Sequence, residues 1–193
     1  MSNMLHLTGD TDADKLLSDD SFALLTGMLL DQQISMEIAF AGPKKIADRM
    51  GGFSLAKIAE TDLDDFVELC VQKPAIHRYG GSMGRRVHAL AQYIAEHYDG
   101  RTDGIWTDGD PDGKEVLKRL KALPGFGDQK ARIFLALLGK QRGVEPTGWR
   151  EAAGAYGDVD ARRSIADVVD DQSLAEVRAW KKEQKAAAKA AKG

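Results

Sequence analysis

The 193-residue sequence has only one cysteine, five prolines and few aromatic residues, which make up 7% of the chain. With the single thiol of Cys70, the chain forms no internal disulfide. It also lacks the ligands for a four-cysteine iron–sulfur cluster or a cysteine-rich zinc site. The four histidines are scattered without metal-ligand spacing, so we expect no metal and no cofactor. Cys70 lies in a helical, apolar pattern and is expected to be a buried, unreactive thiol.

Long hydrophobic runs are missing as well. No apolar stretch approaches the ~20 residues that a membrane-spanning helix needs, and the amino terminus lacks the basic and apolar segments of a secretion signal. Hydrophobic residues still make up 43% of the chain and charged residues 30%, enough for a core and a solvated surface. We therefore expect a cytoplasmic protein with no membrane partner. Nothing in the sequence indicates its oligomeric state.

Alternation of apolar and polar residues, which is typical of β-strands, is not found over any convincing run. Apolar residues instead recur with helical spacing through most of the chain, which predicts an all-α fold without internal repeats. We expect Thr61 to cap one helix, and Ser173 with Glu176 to form a capping box before the last one. The predicted helices include Phe22–Leu30, Thr61–Val71, Arg86–Tyr98, Glu115–Leu123 and Asp128–Leu138.

The net charge of −3 does not by itself indicate a nucleic-acid-binding protein. The distribution of charge is uneven, because five lysines and one glutamate give residues 180–193 a formal charge of +4. This leaves −7 on residues 1–179, since the whole chain carries −3. Two interpretations of the basic tail stay open: a solvated helix rich in alanine and lysine, or an arm that binds phosphate.

Acidic residues concentrate in the segment Asp99–Gly113, which holds five aspartates and four glycines around Trp106. Its second half resembles the start of a calcium-binding loop. However, Arg119 stands where such a loop requires a bidentate glutamate. A polar connector between two helical regions is the favoured interpretation.

The most informative segment is the four-residue link Pro124–Gly127 between two predicted helices. Such a tight turn exposes backbone N–H groups at the start of the second helix, where the helix dipole also favours an anion. Phosphate oxygens of a nucleic-acid backbone suit that concavity. A plain turn between core helices is the alternative, and we favour DNA contact. The predicted DNA-binding residues are Leu123, Pro124, Gly125, Phe126, Gly127, Lys130 and Arg132.

The string Leu123-Pro-Gly-Phe-Gly127 resembles the helix–hairpin–helix of the base-excision DNA glycosylases, the HhH-GPD superfamily. A second string, Leu29-Leu-Asp-Gln-Gln-Ile-Ser35, is similar to the Leu-Gly-Gln-Gln-(Val/Ile)-Ser string of its alkylation-repair branch, the 3-methyladenine glycosylases. Together the motifs extend the resemblance over Phe22–Gly139. It implies a two-lobed, all-α fold without an iron–sulfur cluster.

We expect residues 1–193 to form one such unit. The predicted parts are a first lobe at about 22–100, a hairpin-bearing region at about 113–140, and a C-terminal part at 143–193 that closes the fold, with the basic tail at 180–193. This C-terminal part does not follow the family's motifs.

The resemblance implies that the partner is damaged double-stranded DNA, from which the family extrudes a nucleotide while a protein wedge fills the vacated stack. By this match Gln33 occupies the wedge position with Gln32 beside it, and Met83 is a second wedge candidate. Trp149 and Tyr156 are aromatic and suit a base pocket, although both equally suit anchors in the core. When bound to DNA, the protein is expected at the nucleoid.

Two positions depart from the family. Gln129 stands where bifunctional members carry a lysine nucleophile, so a lyase step is not expected. Lys130 is rotated by about 100° from that position on a helix and is expected to face phosphate. In the region after the hairpin, where active members carry an aspartate, Gly148 aligns instead, and Glu145 is the nearest carboxylate.

Glu145 is therefore the predicted catalytic residue. Glu151, Asp158 and Asp160 are further possibilities. The resulting prediction is a monofunctional DNA glycosylase that hydrolyses the N-glycosidic bond of a damaged base, with an alkylated base as the substrate implied by the branch. The alternatives are a non-catalytic DNA-binding protein on the same scaffold and a helical protein–protein adaptor.

Overall fold

The computed structural model describes residues 3–193, and the chain is 66% helical with no strand in the described part. The all-α prediction is confirmed. Eleven α-helices occur in these residues: α1 Thr11–Asp19, α2 Ser21–Leu30, α3 Met36–Met50, α4 Leu55–Glu60, α5 Leu63–Val71, α6 Gly80–His97, α7 Gly104–Thr107, α8 Gly113–Lys121, α9 Asp128–Gln141, α10 Trp149–Ala153 and α11 Asp171–Ala190. Two short 3₁₀ helices, Gly154–Gly157 and Ile165–Asp167, lie between α10 and α11.

Short polar side chains define where the helices begin, and two predicted caps were misplaced. Asp62, not Thr61, caps α5, because its carboxylate accepts the N–H groups of Asp64 and Asp65. The hydroxyl of Thr61 instead donates to the carbonyl of Lys57 at the end of α4. At the start of α11, the capping box pairs Asp170 with Ser173, three residues before the predicted pair.

Helix α6 is longer than predicted, since it begins at Gly80 rather than near Arg86. Gly84 on its second turn lies against Cys70, with the Sγ only 3.1 Å from where a Cβ of residue 84 would be. The close approach explains why a glycine-rich stretch is helical here. Cys70 is buried as predicted, and this burial raises the pKa of its thiol to about 12.

The helices form two groups that share one hydrophobic core. In the first group α2 packs on α1 and α3, while α4 and α5 pack on α6. In the second, α9 packs against α8, α10 and both 3₁₀ helices. Helix α2 joins the groups because all its residues except Ser21 are buried and it also contacts α9. The two strings singled out in the sequence, at the end of α2 and the start of α9, thus come together where the groups meet.

The acidic segment 99–113 is a folded connector. It contains α7, and the side chain of Trp106 is 7% exposed. Arg119 donates from Nη1 to the carbonyls of Ile105 and Asp108, at 3.3 and 2.9 Å, and so holds the segment against α8. No group of three or more His, Cys, Asp or Glu side chains in residues 3–193 is placed to hold a metal ion. Helices of the length and apolarity needed to cross a membrane are likewise not found in the described part.

Candidate functional site

A cleft of about 940 Å³ opens where the two groups of helices meet. Its walls are the loop between α2 and α3, the first turns of α9, the 3₁₀ helix Gly154–Gly157, and α11. Among the predicted site residues, the cleft brings together Gln32, Gln33, Lys130 and Tyr156. Side chains that were not predicted also line it, namely Asp31, Arg163, Trp180 and Lys181.

The loop Asp31–Ser35 presents Gln33 to solvent. Gln33 is exposed and has φ of 60°, a left-handed conformation that costs a residue other than glycine about 1–2 kcal/mol. Such strain persists only when surrounding contacts hold it, and it concentrates at functional sites. The geometry therefore agrees with the wedge position assigned to Gln33.

Three contacts fix the neighbouring Gln32. Its carbonyl accepts from Nε2 of the buried His77 at 2.9 Å, and its Oε1 accepts from Lys130 Nζ at 3.1 Å. Its Nε2 lies 3.6 Å from the sulfur of Met83. Met83 is 1% exposed and belongs to α6, so it supports the loop from behind. Of the three predicted wedge residues, Gln33 is exposed, Gln32 is partly buried and Met83 is buried.

The role of His77 was not predicted, because it has no sequence signal beyond its residue type. Its Nδ1 accepts the backbone N–H of Tyr79 at 2.9 Å, so the proton of the neutral ring is on Nε2. That nitrogen therefore donates to the carbonyl of Gln32. His77 therefore holds the backbone of the loop Asp31–Ser35, which carries the predicted wedge.

The hairpin between α8 and α9 contains both buried and exposed residues. Leu123 and Phe126 are buried, and the ring of Phe126 meets that of Phe134 edge-on at 6.4 Å. Gly125 is exposed with φ of 82°, and a Cβ there would lie 2.3 Å from Cδ1 of Leu29. Glycine at this position is required both by the backbone and by the close approach to α2.

The start of α9 is suited to an anion. Gly127 is the N-cap residue and makes no side-chain capping bond, and nothing lies within 4 Å of where its Cβ would be. The first-turn N–H groups of this 14-residue helix are therefore accessible to a phosphate. Asp128 beside them pairs with Lys121 at 3.2 Å and Arg132 at 2.7 Å, and these cations lower the pKa of its carboxyl.

Two basic residues assigned to the hairpin interface have other partners. Arg132 also donates from Nη1 to the carbonyl of Ala152, which ties α9 to α10. Lys130 turns into the cleft, where its Nζ donates to the carbonyl of Leu29 at 2.5 Å as well as to Gln32. We expected Lys130 to face phosphate. The rotation from Gln129 instead directs it to the end of α2, and burial lowers the pKa of its amine to about 8.

Two aromatic side chains are among those that line the cleft. Tyr156 accepts a hydrogen bond on its hydroxyl from Gln129 Nε2 at 3.0 Å. Trp180 on α11 also lines the cleft, with the guanidinium of Arg163 5.5 Å from its ring centroid. Trp149 is not among the lining residues. It starts α10, is 6% exposed and packs over Gly139, so it occupies the core position weighed as its alternative.

A model of the HhH-GPD superfamily of base excision DNA repair proteins matches residues 26–192. The chain belongs to this superfamily. Comparison with curated proteins and with solved structures gives no match. Because the match extends to residue 192, it includes the C-terminal part that the motifs alone left outside the family. Membership makes this a base excision repair protein with DNA as its partner, while the alkylation-repair branch stays a prediction.

Gly148, which stands where the resemblance implies an aspartate in active members, is the N-cap of α10. Glu145 is exposed in the loop before α10 and borders other cavities, away from the cleft lining. Glu151, Asp158 and Asp160 are also exposed and do not line the cleft. Two carboxylates do line it, Glu37 and Asp31, and Glu37 pairs with Arg178.

Asp31 is therefore the cleft carboxylate without an ion-pair partner among the described residues. Burial raises the pKa of its carboxyl, and the nearby charges of Lys181 and Lys130 act in the opposite direction. The sequence contained a signal for Asp31, because it lies within the string Leu29–Ser35 that carries the predicted wedge. Asp31 was not predicted as catalytic, because the resemblance implies a catalytic carboxylate in the region after the hairpin.

Proposed function

We propose that this protein is a monofunctional DNA glycosylase that extrudes a damaged nucleotide and hydrolyses its N-glycosidic bond. One observation carries the proposal: a single cleft borders the wedge loop, the first turns of the hairpin helix α9 and an unpaired carboxylate. The hairpin and the N-terminus of α9 would bind the phosphates next to the lesion. Gln33 would fill the vacated stack, and the extruded base would enter the cleft.

Asp31 takes the catalytic role in this proposal, in place of Glu145. As the bond to the base breaks, positive charge develops on the sugar, and a carboxylate fixed beside it stabilises that charge. Burial raises the pKa of Asp31, and the charges of Lys181 and Lys130 act against that shift by favouring the ionised form that this role requires. Hydrolysis then needs only water as the nucleophile, in agreement with Gln129 at the position of the lysine nucleophile of bifunctional members.

The two aromatic side chains of the cleft support an alkylated base as substrate. Alkylation at a ring nitrogen gives a purine a positive charge, and such a cation is attracted to aromatic faces and to carboxylates. Tyr156 and Trp180 provide the faces, and Asp31 provides the carboxylate. The similarity of Leu29–Ser35 to the alkylation-repair string supports the same class.

The decisive experiment compares Asp31→Asn with Glu145→Gln. Both substitutions neutralise a carboxylate with little change in volume, and only Asp31 lines the cleft. On DNA treated with a methylating agent, Asp31→Asn is expected to slow base release by about 100-fold or more, the usual effect of removing one electrostatic group from a site. Glu145→Gln is expected to stay within about twofold of wild type. Undiminished release by Asp31→Asn would overturn the assignment.

A second candidate function is a DNA-binding protein that has kept the scaffold and lost the chemistry, and glycine at position 148 favours it. Competitive binding to three duplexes separates the two candidates: undamaged DNA, DNA with a neutral abasic analogue, and DNA with a cationic pyrrolidine analogue. A glycosylase prefers the cationic analogue because it resembles the transition state. Equal, salt-sensitive binding to all three supports the non-catalytic function.

A further inference from the structure

We infer that helix α11 is a second DNA-binding element, whose lysines contact the phosphate backbone of the duplex that the cleft engages. The inference rests on the proposed function in so far as the partner is DNA. Of the two interpretations of the basic tail at residues 180–193, it favours phosphate binding. It thereby assigns a role to a segment that contains no motif of the family.

Helix α11 is fixed relative to the cleft at its first half. Val177 is buried, Trp180 lies against Arg163, and Arg178 forms an ion pair with Glu37 on α3. The helix therefore reaches from the second group of helices to the first. Lys181, Lys182 and Lys185 are among the residues that line the cleft.

The lysines continue along the same helix beyond the cleft. Lys181, Lys185 and Lys189 are spaced at i, i+4 and i+8, which places them along one side of α11 over about 12 Å. Lys182 flanks this stripe. Because a DNA strand carries one phosphate per 3.4 Å of helix axis, a stripe of this length spans about three phosphates.

Three of these lysines, Lys182, Lys185 and Lys189, form no ion pair among the described residues, whereas Lys15 and Lys44 each pair with an aspartate one helical turn later. On α11 the ion pairs of the described residues are those of Glu176 and Arg178, and Lys181 lies near the charge of Asp31. Lys182, Lys185 and Lys189 are therefore left unneutralised. Since residues 1–179 carry −7, this face offers the phosphate backbone a concentrated positive charge on a chain that is otherwise acidic.

The test is a triple variant, Lys182→Gln, Lys185→Gln and Lys189→Gln, which spares Lys181 because that residue interacts with Asp31. Glutamine has a helix propensity close to that of lysine, so α11 is retained, and circular dichroism checks this. The matched control is Lys15→Gln, Lys44→Gln and Lys57→Gln, which removes the same charge away from the cleft. The dissociation constant for a duplex with a neutral abasic analogue is measured between 50 and 200 mM KCl.

Each phosphate contact contributes about 0.9 to the slope of log K against log salt. The triple lysine-to-glutamine variant of α11, the tail variant, is therefore expected to reduce the magnitude of that slope by about 2.7. This corresponds to a dissociation constant up to about 500-fold higher at 0.1 M salt. The control is expected to keep nearly the wild-type slope, and a triple lysine-to-arginine variant in the tail is expected to restore it. The same slope in the tail and control variants would overturn the inference.

Failure of the inference is distinguishable from failure of the proposed function. If wild type binds DNA with a salt-dependent affinity and the tail variant binds equally well, α11 does not contact DNA. The proposed DNA contact of the hairpin is not affected by that result. If wild type shows no salt-dependent DNA binding at all, the proposed function itself fails. A slope change with duplex RNA and none with DNA would also overturn the inference, because the partner would then be RNA.

Discussion

Gln33 combines a strained, left-handed backbone with an exposed side chain. Replacing it with glycine removes the backbone strain, so we expect Gln33→Gly to unfold at the same or a slightly higher temperature than wild type. We expect the same variant to lose its preference for abasic-analogue DNA over undamaged DNA, since no side chain fills the stack. Thermal unfolding and competitive binding measure the two effects.

Gln33→Ala is the matched control. It removes the wedge side chain but keeps a Cβ, so it should lose the binding preference without any gain in stability. If Gln33→Gly kept the wild-type preference for abasic-analogue DNA, Gln33 would not be the wedge.

Single residues also show where sequence reasoning reached its limit. Gln33 could be named as a wedge candidate because it is part of a continuous string that resembles a family motif, and this assignment stays a prediction. The cleft residues Asp31 and Trp180 were not assigned, because a lining residue is defined by what lies across from it, and these two are far apart in sequence. Trp149 and Trp180 are both plausible from residue type, and only their burial and their neighbours separate them.

At the scale of elements, the hairpin provides a matched pair of glycines. Gly125→Ala places a Cβ 2.3 Å from Leu29 and forces alanine into φ of 82°, so we expect destabilisation of about 1–3 kcal/mol. Gly127→Ala meets nothing within 4 Å and has φ of −98°, so we expect it to fold with nearly wild-type stability. Chemical denaturation measures both.

The DNA affinities of these two variants should not follow their stabilities. The methyl group of Gly127→Ala lies at the N-terminus of α9, where we expect it to hinder the approach of a phosphate. Weaker DNA binding by Gly127→Ala, with no loss of stability, would identify this helix end as a phosphate site. Unchanged binding would show that the phosphates bind elsewhere.

Elements were easier to predict than their ends. The helical periodicity of α8 and α9 was visible because each has an apolar face, and α2 is a run of almost entirely apolar residues. The existence of all three was predicted correctly. The starts of α5 and α6 were missed, since several polar residues can cap a helix and glycines are ordinarily poor helix formers. The carboxylate of Asp62 caps the start of α5, whereas α6 packs closely against α5 where Gly84 meets Cys70.

For the whole molecule, the all-α fold could be predicted from helical spacing and the family from two strings of residues, but the contacts between the two helix groups could not. Lys130 makes such a contact, because its amine donates hydrogen bonds to Leu29 and Gln32, about 100 positions away in sequence. The environment of this amine is unusual. No carboxylate lies within ion-pair distance of its amine in the described residues, and burial favours the uncharged form.

This environment predicts how stability depends on pH. The pKa of Lys130 is about 8 in the folded protein and that of a lysine in the unfolded chain is about 10.4. Between these values the unfolded state binds more protons at this site, so the contribution of Lys130 to the free energy of unfolding rises with pH. Well below pH 8 both states are protonated and the contribution is constant.

Lys130→Met isolates that contribution, because methionine keeps a long unbranched side chain and does not titrate. Urea denaturation of wild type and variant at several pH values between 7 and 10.5 gives the difference in the free energy of unfolding. We expect the free energy of unfolding of wild type to rise relative to that of the variant from about pH 7 upward, by little between pH 7 and 8 and by more above pH 8. A difference that stays flat or falls above pH 8 would mean that the amine is charged in the folded protein, as it would be if Lys130 faced solvent rather than the cleft.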